Sequence, residues 1–115
     1  MLILAVILFG IAALLGLTMA VMVLQRKLLP PVGLAIAHGI FAALGLLLLL
    51  IAVLPGFSGA MAWALLLFVL AALGGFIMAL GYHRSGKLLP TLFVAAHGLL
   101  AVIAFIILLR ATFAA

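Results

Sequence analysis

Four apolar stretches, each about the 20 residues a helix needs to cross the hydrocarbon of a bilayer, decide what this chain can fold into. They run over Leu2–Leu24, Val32–Leu54, Ala60–Tyr82 and Thr91–Leu109. Inside lipid every backbone N–H and C=O must be paired within the protein, which leaves helices or a closed barrel. Barrel strands alternate polar and apolar residues, and these stretches do not alternate. The sequence therefore predicts an all-α integral membrane protein with four transmembrane helices and very little mass outside the bilayer. Composition agrees, since 74% of the residues are hydrophobic and none is Asp or Glu; no polar shell is available for a soluble core. The first apolar stretch is read as a retained helix rather than a signal peptide. No basic residue precedes it, and it is longer than a usual signal h-region.

The cations report orientation. Arg26, Lys27, Arg84 and Lys87 fall between stretches 1–2 and 3–4, while Pro55-Gly56-Phe57-Ser58-Gly59 between stretches 2 and 3 carries no charge. The positive-inside rule puts the basic loops in the cytoplasm and both termini outside, with a bacterial inner membrane as the expected location. Arg110 is the one dissenting charge. The net charge of +5 is thus a topology signal first and an attraction to anionic membrane lipid second; no nucleic-acid partner is expected.

The chain also resembles itself at a shift of 59. Ala5–Val21 reads AVILFGIAALLGLTMAV and Ala64–Leu80 reads ALLLFVLAALGGFIMAL, with nine of the 17 positions identical. Phe9/Phe68, Gly16/Gly75 and Met19/Met78 are the least easily accidental matches. Lys27-Leu28-Leu29-Pro30 answers Lys87-Leu88-Leu89-Pro90, with Pro31 restoring register. The reading is a tandem duplication of a two-helix hairpin, 1–59 and 60–115, forming one membrane domain. A two-helix repeat keeps its orientation, so the halves should be related by a pseudo-twofold axis along the membrane normal. Helices 1 and 3 further carry Ala12-x-x-x-Gly16-x-x-x-Ala20 and Ala71-x-x-x-Gly75-x-x-x-Ala79. Such small-residue faces let another helix approach closely, from within the chain or from another membrane subunit.

Against this background two histidines stand out, His38 in Ala37-His38-Gly39 and His97 in Ala96-His97-Gly98. An ionisable residue within a membrane span is costly and is by default a functional hypothesis. Each lies seven residues beyond a proline, Pro31 or Pro90, expected in the first helical turn. At 1.5 Å per residue that is about 10 Å into the bundle. Ala42 and Gly45 share the face of His38, and Ala101 and Ala104 that of His97, leaving room for a flat macrocycle. In an up-down bundle helices 2 and 4 are diagonal, which places the pair to ligate both axial positions of one metal.

The leading expectation is therefore a small subunit binding one haem b through His38 and His97. Ala42, Gly45, Ala101 and Ala104 would line the ring, and Arg26, Lys27, Arg84 and Lys87 would pair with its propionates. Its role would be electron transfer within a larger membrane redox enzyme, without catalytic activity of its own. A chlorophyll-type pigment, needing one histidine per ring, is a variant. The alternative is a cofactor-free accessory subunit in which each histidine only hydrogen-bonds a carbonyl or a neighbouring helix. Other chemistries fall away. The chain has no cysteine, which excludes covalent haem attachment, and two histidines fall short of a zinc site. A hydrolytic triad lacks its carboxylate. His83, beside Tyr82 and Arg84, is expected as a solvated loop residue, and Trp63 and Tyr82 as interfacial anchors of helix 3.

Overall fold

A computed structural model describes residues 1–56 and 59–114. It contains four long helices: α1 (Leu2–Arg26), α2 (Val32–Val53), α3 (Gly59–Met78) and α4 (Thr91–Phe113). All four are long and apolar enough to cross a membrane. Phe57 and Ser58, in the uncharged connection, lie outside the described residues.

The helix ends follow from local chemistry. Pro31 and Pro90 stand just before α2 and α4 as N-caps, rather than inside the first turn. Their carbonyls accept the first helical bonds, from Leu34 and Ala35 to Pro31 and from Val94 to Pro90. Helix α1 ends where Lys27 turns left-handed at φ 55° and Leu28 N–H folds back onto Met22 O at 3.0 Å. This is a left-handed stop made without glycine, its bond one residue wider than that of a Schellman motif. The corresponding stop after α3 uses Gly86, at φ 72°. Before it, residues Ala79–His83 continue α3 as a widened turn, with Arg84 N–H reaching five residues back to Ala79 O at 2.8 Å. Gly81, a poor helix former, sits inside that turn. Helix α4 runs on past Arg110 to Phe113, so Arg110 occupies its last turn, where a cation interacts favourably with the helix dipole.

The helices form two hairpins, α1 with α2 and α3 with α4, joined by α1–α4 and α2–α3 contacts into a ring. In that order α2 and α4 are diagonal, as are α1 and α3. The bundle measures 43 × 22 × 22 Å, longer than the roughly 30 Å of hydrocarbon it would cross.

The main buried cluster lies toward one end, while Val23 and Met78 are buried separately near the basic loops. The cluster's centre is the face-to-face stack of Phe9 and Phe68 across the α1–α3 diagonal, with ring centroids 3.8 Å apart and planes 2° from parallel. Leu49, Val53, Ala62, Ala64, Leu65, Ala104 and Leu108 complete this cluster. Every one of these residues lies in the half of its helix remote from the basic loops. The outer surface is large and apolar: Leu14, Leu17, Leu47, Phe76, Leu92 and Leu99 are among the exposed side chains. In water such a surface would drive aggregation; in lipid it is the ordinary outer face of a helix bundle.

Candidate functional site

At the level of the two histidines, all four helices present small residues. Ala12 and Gly16 come from α1, Ala71 and Gly75 from α3, Ala42 from α2 and Ala101 from α4. Space that small side chains leave empty has to be filled by something. Here the imidazoles fill it. His38 and His97 meet across the α2–α4 diagonal with ring centroids 6.1 Å apart and planes 71° from parallel. Both are half-buried.

Each ring is anchored to the other helix of its own hairpin. His38 Nδ1 lies 2.8 Å from Ala12 O, and His97 Nδ1 lies 2.7 Å from Ala71 O. A carbonyl oxygen only accepts, so Nδ1 must carry the hydrogen in both rings. In the uncharged ring Nε2 is then the lone-pair nitrogen, and the bond at Nδ1 fixes its orientation. Among the described residues neither Nε2 has a hydrogen-bond partner. The arrangement thus presents two oriented nitrogen donors, one from each hairpin.

The glycines explain how the rings come so close. A Cβ added at Gly16 would lie 3.0 Å from His38 Cε1 and 3.2 Å from its Nδ1. At Gly75 it would lie 3.3 Å from His97 Cε1. The first two residues of each Ala-x-x-x-Gly stripe are therefore a seat for the neighbouring histidine: alanine gives the carbonyl and glycine the clearance. Sequence reasoning recognised the stripe as a close-packing face and missed what it receives. The available signal was the constant separation of 26 residues between each alanine and its histidine.

No protein-family model, curated protein or solved structure matches this chain.

The other residues expected at the site divide by level. Ala42 and Ala101 are half-buried one turn from the histidines. Gly45 is one layer further, where Phe9 occupies the space beside it; an added Cβ would lie 3.1 Å from that ring. Ala104 is fully buried in the same layer. The Phe9–Phe68 stack thus forms the boundary of the histidine level on the side away from the basic loops. Arg26, Lys27, Arg84 and Lys87 are all exposed at the opposite end. Among the described residues, no three His, Cys, Asp or Glu side chains converge on one point.

His83 departs from expectation. It lies in the widened turn that ends α3, half-buried, with Nε2–H donating to Pro30 O at 2.6 Å. The bond joins the end of α3 to the α1–α2 connection, and so ties the two hairpins together at the basic end. The widened turn is a backbone feature with no signature in residue periodicity, which is why the residue read as solvated loop. Beside it, Tyr82 packs edge-to-face on Phe93 with centroids 6.1 Å apart.

Proposed function

We propose that this protein is a small membrane subunit that holds one b-type haem between His38 and His97 and takes part in electron transfer within a larger membrane complex. The observation that carries the reading is the pair of imidazoles 6.1 Å apart, each tied at Nδ1 to a backbone carbonyl with Nε2 left over. Metal-ligating histidines characteristically donate their other ring N–H to such a partner, which fixes the ring and raises its basicity. The spacing supports the reading, because two imidazoles on opposite sides of one metal, each about 2.0–2.1 Å from it, have ring centres roughly 6 Å apart. A haem would supply a one-electron couple whose potential depends on its axial ligands and its burial.

The residues around the pair have defined parts in this reading. Ala42 and Ala101 keep the histidine level free of bulk, and the Phe9–Phe68 stack limits how far a ring could extend toward the far end. Lys27, Arg84 and Lys87 provide cations for propionates at the basic end, with Arg26 nearby on the outer face of α1. We read the two halves as a duplicated hairpin, because each half makes the same histidine–carbonyl bond across 26 residues. The basic loops are assigned to the cytoplasmic side, in keeping with the positive-inside rule.

A second reading has its own observation. The fit of His38 against Gly16 is close enough to serve as a latch between α1 and α2 with no cofactor, in an accessory subunit of a larger assembly. Asparagine separates the two readings, because its side-chain amide nitrogen can replace Nδ1 on the carbonyl while nothing replaces Nε2. Absorption spectra of the purified protein from haem-competent cells, oxidised and then dithionite-reduced, provide the measurement. The haem reading expects sharp reduced α and β bands in the wild type and their loss in His38→Asn and His97→Asn, with helicity retained. Full haem binding in both variants, or a featureless wild type that also fails to take up added haem, would sink it. Bands in the red would instead indicate a pigment.

A further inference from the structure

The last turns of α1 carry a feature unrelated to the histidines. A groove of about 540 Å³ runs along the outer face of the helix, lined by Leu17, Thr18, Val21, Met22, Arg26 and Leu28. Its roof is Leu28, brought back over the helix by the left-handed residue Lys27 and the bond from Leu28 N–H to Met22 O. The Thr18 hydroxyl is already committed to Leu14 O at 2.9 Å. The floor is thus aliphatic, and the only formal charge in the lining is the Arg26 guanidinium at the basic end, with exposed Lys27 next to it in sequence. The chain holds no carboxylate side chain that could compete for either.

Apolar walls along the helix and a single cation at the interface match an amphiphile with an anionic head and a hydrocarbon tail. An uncharged lipid would satisfy the walls and leave the guanidinium to water. A soluble anion would satisfy the guanidinium and gain nothing from the walls. The corresponding face of the second half lacks the parts. At the 59-residue shift, Ser85 stands in place of Arg26 and Gly81 in place of Met22. We propose that this groove is a binding site for one anionic phospholipid of the leaflet at the basic end, with its phosphate on Arg26 and an acyl chain along Leu17, Val21 and Met22. The proposal does not depend on the haem reading.

Native mass spectrometry of the full-length protein, released from bilayers of mixed phosphatidylglycerol and phosphatidylcholine, tests it. The wild type should retain phosphatidylglycerol in preference to phosphatidylcholine. Loss of the charge-assisted hydrogen bond between guanidinium and phosphate should make Arg26→Gln lower that preference about tenfold. Met22→Trp, which fills the groove and keeps the charge, should lower it as well, while Arg84→Gln should leave it unchanged. Soluble glycerol phosphate should not displace the lipid. Equal retention of the two lipids by the wild type would overturn the proposal, as would an equal loss in Arg84→Gln, which indicates diffuse attraction to the basic end. Displacement by glycerol phosphate would show a phosphate site without a lipid requirement and would also overturn it.

Discussion

A single methyl group is enough to disturb the centre of this bundle. Replacing Gly16 by alanine puts a carbon 3.0 Å from His38 Cε1, so the ring must give by a few tenths of an ångström while its Nδ1 is held by Ala12 O. Overpacking of this kind costs about 1–3 kcal/mol. Gly75→Ala, with 3.3 Å of clearance, should cost less, and Gly33→Ala, with nothing within 4 Å, should be neutral or favourable because alanine favours helix. Thermal unfolding in one detergent gives the order; equal midpoints for Gly16→Ala and Gly33→Ala would contradict the seat described for His38. Gly86→Ala should lose about 1 kcal/mol for a different reason, the left-handed backbone at φ 72°. At this scale the histidines were legible in the sequence, since a polar residue in an apolar span announces itself. The role of Gly16 was not legible. A small-residue stripe has the same appearance whether it receives a backbone or a side chain, and which one depends on the register between helices.

Among the elements, the connections differ in how they are held. The α1–α2 connection is short and its Pro30 carbonyl accepts the Nε2–H of His83. A net hydrogen bond of this type is worth about 0.5–1.5 kcal/mol. His83→Ala should therefore leave the bundle folded and free the basic loops locally, read as faster amide exchange at Leu28 and Leu29 than in the wild type. Unchanged exchange would mean that the bond contributes nothing to order there. The apolar stretches marked the helices to within a few residues, because length and composition alone determine what can cross lipid. Their ends were less visible. Arg110 suggested a stop at Leu109, yet a cation is well tolerated in a last turn, and α4 continues to Phe113. The widened turn at Ala79–His83 arises from backbone pairing, and hydrophobic periodicity says nothing about it.

For the whole molecule, lipid rather than water sets the energetics. Helix association in a bilayer lacks the hydrophobic driving force of a soluble core, so it rests on close packing and on the few polar bonds. Phe9→Ala removes half of the 3.8 Å stack. In a soluble core such a truncation costs about 3–5 kcal/mol, part of it the transfer of apolar surface from water. Here the cost should fall below that range, a difference measurable as the change in unfolding free energy in bicelles. The orientation of the whole is equally open to test. Moving the cations of positions 26, 27, 84 and 87 to the uncharged connection between α2 and α3 should invert the protein in the membrane. Single cysteines placed in the two sets of loops would report it against a background with no native thiol. The ring order of helices was foreseeable from short loops; the uneven placement of the core was not, because all four stretches are apolar throughout.

That uneven placement makes the bundle resemble a pair of tongs. Phe9, Phe68, Leu49 and Leu108 form the pivot, while toward the other end fewer side chains are buried, Val23 and Met78 among them, and the hairpins meet through two imidazoles and the clasp at Pro30 as well. Interlocked side chains resist separation over their whole contact, whereas a hydrogen bond yields within a fraction of an ångström. Loosening of the molecule will therefore begin at the histidine level and spread toward the phenylalanines. The chain thus places its less interlocked end around the two Nε2 atoms that have no hydrogen-bond partner among the described residues.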